Sequence, residues 1–257
     1  MPDQPAKADE TVTAAMIVIG DEILSGRTKD KNIGYVADHL TAIGIQLQEV
    51  RIVPDVTEKI AGAVNDLRTA YTYVFTSGGI GPTHDDITAD SVAAAFGVPI
   101  DVDPRAVAIM KPYYEERNLE FSDARMRMAR MPEGADLIEN AVSNAPGFMM
   151  ENVIVMAGIP KVMQMMLDAV TPKLRTGLRM ESVTIVLHRP ESEISALLGA
   201  AQDAWPDVSM GSYPFFENGK YGTQLVLRST DNARLAGAET AVKSELRDRG
   251  WISDEAV

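Results

Sequence analysis

Residues 74–91 read VFTSGGIGPTHDDITADS, with Gly78, Gly79, Ile80 and Gly81 in a short run ahead of the paired carboxylates Asp85 and Asp86. Backbone N–H groups of a glycine-rich turn that leads into a helix can converge on one phosphate. Thr76 and Ser77 add hydroxyl donors at the strand side of the turn. The spacing is neither G-x-x-x-x-G-K-[ST] nor G-x-G-x-x-G, so this is not a P-loop or a dinucleotide fingerprint. As a bare junction it would only be a tight turn. Two acids beside a phosphate repel it. Asp85, Asp86 or Thr88 is expected to cap the helix read over Thr88 to Phe96. The spare carboxylate is then free to hold a hard cation such as Mg²⁺ against the phosphate, where it would polarise a phosphorus–oxygen bond.

A second group of acids lies in GDEILSGRTKDKN, where Gly20, Asp21 and Glu22 end the first strand and Ser25, Gly26, Arg27 and Lys29 follow in a loop. Asp55, in RIVPDV, sits just past the second strand. In a parallel sheet these strand ends share one edge with the glycine turn, the edge at which open α/β sheets bind ligands. Singly, each acid reads as an ordinary cap or turn residue; together they read as a phosphate-plus-metal cleft, with Asp21, Glu22, Asp85 and Asp86 as metal ligands. His39, His84 and His188 show no i,i+4 pairing, and there is no cysteine, so imidazole and thiolate metal sites, disulfides and thiol catalysis are not expected.

The elements that must position these residues alternate. AAMIVIG reads as a buried strand, NIGYVADHLTAIG as a helix, IQLQEVRIV as a strand, VTEKIAGAVNDLRTA as a helix and YTYVFTS as the strand that delivers the glycines. That alternation predicts an α/β fold with a mostly parallel sheet sandwiched by helices. The section from Pro104 to Arg130 reads as a helical hairpin packing its Met and Tyr residues on the sheet, NVIVMAG as a further strand, and PKVMQMMLDAVTPKL as a helix with Pro160 in its first turn. After a break near Arg179, the pattern becomes β-α-β-β-α, a small α+β domain. The expected division is a disordered tail over 1–13, a first domain over 14–178 and a second over 181–252. Gly219 to Gly222 spell GKYG, the GXXG of nucleic-acid-binding KH modules; joining two strands, it reads instead as a hairpin turn.

With 24 Lys and Arg against 37 Asp and Glu among 257 residues, the formal charge of −13 disfavours binding to nucleic acid or to anionic membranes. The polar N-terminus has no basic segment, and the first apolar run, Ala14 to Ile19, is too short for a signal or a span, so a cytoplasmic location is expected.

GDEILSG at 20–26, TSGGIGPTHDDITAD at 76–90, NAPGF at 144–148 and AGIPKVMQMM at 157–166 together resemble the molybdopterin-binding (MoaB/Mog-like) family, in its CinA-type branch, over residues 14 to about 178. The last domain resembles the KH-like α+β domain that follows in CinA-type proteins, and part of the eukaryotic FAD synthases. The resemblance implies that the SGGIG loop, Thr76 to Gly81, holds the terminal phosphate of molybdopterin or a nucleotide, with Gly20 and Asp21 beside it. It implies catalytic roles for Asp55 and Asp86 with Mg²⁺, assembly as a dimer or trimer, and either a place in molybdenum cofactor metabolism or metal-dependent cleavage of a pyrophosphate in ADP-ribose or FAD. AGIPKVM departs from the family's usual PGVPSEM, so Lys161 and Val162 stand where Ser and Glu are common, and Lys161 is expected to contact phosphate. As this sequence stops at Val257, neither the amidohydrolase domain of full CinA proteins nor deamidation of a nicotinamide nucleotide is expected of it.

Overall fold

A computed structural model describes residues 11–253, Asn218 excepted. Residues 1–10 of the expected tail lie outside the described residues, whereas Val12 and Thr13 are strand residues that pair with Ile45 and Gln46. The chain divides into two compact units between Leu178 and Arg179.

In the first unit the order is β1 (Val12–Ile19), α1 (Asp21–Leu24), α2 (Asn32–Ala42), β2 (Ile45–Val53), α3 (Thr57–Ala70), β3 (Tyr73–Ser77) and α4 (Thr88–Phe96). There follow β4 (Ile100–Val102), α5 (Pro104–Glu115), α6 (Asp123–Arg127), β5 (Arg130–Pro132), β6 (Asp136–Ile138), β7 (Gly147–Met150), β8 (Val153–Met156) and α7 (Pro160–Val170). Six strands form one sheet in the order β2-β1-β3-β8-β7-β6. The first four run parallel; β7 runs against them, and the edge strand β6, antiparallel to β7, runs in their direction again. Short strands without a clear period made β4 to β7 illegible in the sequence.

β1 is buried almost throughout because helices cover both faces of the sheet. Successive residues of a strand point to opposite faces, and β1 divides its side chains accordingly. Ala15, Ile17 and Ile19 pack with Ile60, Val64 and Leu67 of α3 and Val92 of α4. Ala14, Met16 and Val18 pack with Val36 and Leu40 of α2 and Met163, Met166 and Val170 of α7. Met110 and Tyr114 of α5 join the first of these cores, as expected of the hairpin's Met and Tyr residues. Gly97 ends α4 in the left-handed conformation, φ 67°.

The expected cap of α4 is not made. Ile87 occupies the N-cap without a side-chain bond; Thr88 Oγ1 instead donates to the Gly78 carbonyl (2.9 Å), and Asp86 Oδ2 accepts the Thr83 N–H (2.8 Å). Thr88 is fully buried, so its hydroxyl takes the acceptor that the neighbouring loop offers, and Asp86 closes its own turn.

In the second unit β9 (Glu181–Leu187), α8 (Glu191–Ala204), β10 (Ser209–Glu217), β11 (Lys220–Ser229) and α9 (Asn232–Asp248) form an antiparallel sheet in the order β10-β11-β9 with two helices. Ile185, Leu187, Leu225 and Leu227 meet Ile194, Leu197, Leu235, Val242 and Leu246 in one core. The hairpin is made, but of GKYG only Gly219, at φ 77°, lies in its turn: Lys220, Tyr221 and Gly222 already belong to β11, paired with Glu217, Phe216 and Phe215. No helix of the described residues is long and apolar enough to cross a membrane.

Candidate functional site

At the C-terminal ends of β1, β3 and β8 the chain leaves the sheet into a cleft of about 590 Å³. One wall is the turn after β3. Gly78, at φ 111°, donates its N–H to the Met156 carbonyl (3.1 Å), and a Cβ there would overlap the Ile19 carbonyl oxygen. Gly79, at φ 67°, lies so close to Thr88 Oγ1 that it too has no room for a side chain. The peptide plane between strand and helix is thereby fixed from both sides. Among the described residues, the N–H groups of Gly79, Ile80 and Gly81 donate no hydrogen bond. Gly78 is thus spent on the sheet, and three donors remain for a ligand.

The opposite wall is the start of α7. Val162 and Met163 donate to the Ile159 carbonyl (3.0 and 2.9 Å), Pro160 has no N–H, and the N–H groups of Gly158, Ile159 and Lys161 make no bond among the described residues. The uncapped N-terminus of an 11-residue helix carries partial positive charge. Gly158 packs against Gly78, so the two donor groups adjoin. Asn32, the first residue of α2 and 4% exposed, joins them: its Nδ2 donates to Ser77 Oγ (2.7 Å) and to the Gly158 carbonyl (2.8 Å). Between the walls lie Met128, Ala145, Ile159, Val162 and Met166, an apolar surface beside the donors.

Of the residues expected from sequence, Glu22, Gly78, Gly79, Ile80, Gly81 and Asp86 line this cleft. Thr76 and Ser77 are buried in the sheet, where Thr76 Oγ1 has no partner and Ser77 Oγ accepts from Asn32 and donates to the Ala157 carbonyl (3.3 Å). Gly20 donates to the Val53 carbonyl (3.2 Å), and Lys161 is exposed and outside the lining. Asp55 lies beside the cleft, its Oδ2 accepting the Asp21 N–H (2.9 Å). Burial pushes the Asp55 carboxyl above the usual range; the Asp21 N–H opposes this, and the charges of Asp21, Glu22 and Asp85 reinforce it.

The acids fit a metal ion poorly. Among the described residues no group of three or more His, Cys, Asp or Glu is arranged to hold one. Asp86 Oδ2 already accepts the N–H and hydroxyl of Thr83.

Asn32 and Asn140 were not singled out by sequence reasoning. Asn140 is nearly buried and shapes the third wall: its Nδ2 donates to Ser143 Oγ (2.7 Å) and the Ala145 carbonyl (3.1 Å), while its Oδ1 accepts the Val142 N–H (2.9 Å). The available signal was a lone asparagine ahead of the NAPGF stretch, a residue type that closes turns onto its own backbone.

Comparison with known proteins gives two matches along the chain. A family described as "Probable molybdopterin binding domain" matches residues 15–176, and the middle domain of FAD synthase matches residues 179–255. A protein of Aeropyrum pernix is 33% identical over 227 residues, covering 85% of this chain and 84% of its own length. A CinA-like protein of Desulfosudis oleivorans is 33% identical over 209 residues, or 77% of this chain, and the chain spans 51% of that relative's length. The crystal structure of the protein CinA with unknown function from Thermoplasma acidophilum is similar at a TM-score of 0.59 and 32% identity, over 64% of this chain and 99% of that one.

Proposed function

The chain belongs to the molybdopterin-binding domain family over residues 15–176, and we propose that its cleft binds a phosphorylated pterin or nucleotide, with a role in molybdenum cofactor metabolism. One observation carries the reading: the N–H groups of Gly79, Ile80 and Gly81 are without partners on the cleft wall, next to the open N-terminus of α7. Buried or half-buried donors are normally paired, and convergent N–H groups at a glycine turn and a helix start suit a phosphoryl group. The apolar surface from Met128 to Met166 suits a flat heterocycle beside that phosphate. A net charge of −13 favours a small ligand held by local donors over a nucleic acid.

A second reading, cleavage of a pyrophosphate in ADP-ribose or FAD, is favoured by the match of residues 179–255 to the FAD synthase middle domain. One experiment separates the two. Purified protein is titrated with molybdopterin, ADP-ribose, FAD, NAD and ATP, and each mixture is assayed for phosphate-bond cleavage with and without Mg²⁺, Mn²⁺ or Co²⁺. Binding without turnover supports the first reading. Metal-dependent turnover that Asp86→Asn abolishes puts the second ahead, and failure to bind any of the compounds overturns both.

A further inference from the structure

The cleft that is proposed to take a phosphate has no cation on its lining, and its two charged residues, Glu22 and Asp86, are acids. The nearest compensation lies behind the glycine turn. Arg127, the last residue of α6, and Arg130, the first of β5, converge on one carboxylate, that of Asp90. Arg130 takes it in a two-pronged pair, Nη1 to Oδ2 at 2.9 Å and Nη2 to Oδ1 at 2.7 Å. Such fork-to-fork pairing satisfies both charges. Arg127 is left at 4.0 Å from Asp90 and donates from Nη2 to the Asp86 backbone carbonyl (3.2 Å). Its Nε–H is buried and has no partner among the described residues.

A buried guanidinium N–H without a partner is costly unless an acceptor arrives. The crevice that Arg127 lines is also lined by Gly79, Ile80 and Gly81, and it is about 20 Å³ in volume. That admits one water-sized group. Arg127 and Arg130 share this crevice with Asp90 and Asp86, so the two arginines offset the two acids behind the same three residues whose N–H groups are unpaired.

We infer that Arg127 is the cationic arm of this anion site, its Nε–H accepting partner being an oxygen of the bound phosphoryl group or one water held against it. The inference rests on the reading of the cleft as a phosphate site. It assigns the neutralising charge to a residue outside the glycine motif and explains how a phosphate dianion tolerates Asp86 nearby. Arg130 takes Asp90 in its two-pronged pair, which leaves Arg127 only a 4.0 Å contact with that carboxylate. The ligand class that follows is a phosphomonoester or pyrophosphate end, and an uncharged nucleoside or pterin would gain nothing from Arg127.

The test uses the whole wild-type chain, ¹⁵N-labelled, titrated with inorganic pyrophosphate. The amide resonances of Gly79, Ile80 and Gly81 report the turn, and the Arg127 Nε–H resonance reports the guanidinium. Both sets are expected to shift with one common midpoint. Shifts of the amides with an unmoved Arg127 Nε–H would sink the inference while leaving the phosphate site standing; no shift of either would sink both. Arg127→Gln is expected to weaken pyrophosphate binding about tenfold or more, the weight of a charge-assisted hydrogen bond. Arg127→Lys keeps a charge and loses the Nε–H, and is expected to fall between. Equal affinity in all three proteins would overturn the assignment.

Discussion

A carboxyl group with a displaced pKa makes a claim about stability as well as chemistry. Asp55 holds its proton more tightly in the folded protein because burial and the charges of Asp21, Glu22 and Asp85 outweigh the Asp21 N–H. Below the ordinary aspartate pKa both states are protonated and the group is neutral to folding. As pH rises through that value the unfolded chain releases its proton first and binds fewer protons, so stability falls with pH until the folded pKa is passed. Asp55→Asn keeps an oxygen for the Asp21 N–H and removes the charge. Thermal melts should therefore show the variant more stable than wild type at neutral pH, with the advantage fading as pH is lowered past the ordinary aspartate value. A constant difference across that range would mean that charge burial at Asp55 is not the cause.

The elements around the cleft are joined by few side chains, and Asn32 is the one that spans the most. From α2 it binds the end of β3 through Ser77 and the start of α7 through Gly158, partners 45 and 126 residues away in the chain. Replacing it by Ala leaves the Gly158 carbonyl and the Ser77 hydroxyl each without this donor in a buried place. The expected cost is about 1–3 kcal/mol, read as a lower urea midpoint by circular dichroism. Ligand affinity should fall further than stability alone predicts, because the two donor walls lose their common anchor. A midpoint equal to that of wild type would remove Asn32 from this role.

On the scale of the whole molecule, each unit has its own core: two clusters on either side of the six-stranded sheet in the first, and a single cluster in the second. The connection over residues 175–180 has no regular structure, and Arg179 within it is exposed. Brief trypsin digestion should cut first at Arg179 and release two resistant fragments, since proteases act on irregular exposed segments with few contacts. Earlier cleavage between α5 and α6 would place the weakest point of the chain inside the first unit instead.

What the sequence determined by itself were the features carried by neighbours in the chain. The helices over Thr88–Phe96 and Glu191–Ala204, the strand Ile45–Val53, the glycine turn and the existence of a hairpin at Gly219 follow from periodicity and from residues that permit a given φ. The family followed from four motifs in order. Only the tertiary structure decided which groups face the cleft. Thr76 and Ser77 turned into the sheet because a strand's side chains are assigned to faces by the cores that cover them. Asp86 and Thr88 bonded to the loop and not to the helix start, because a buried polar atom takes the acceptor or donor that packing brings near. Asn32 and Arg127 entered the site from distant parts of the chain, and no local pattern records contacts that exist only once the helices are docked on the sheet.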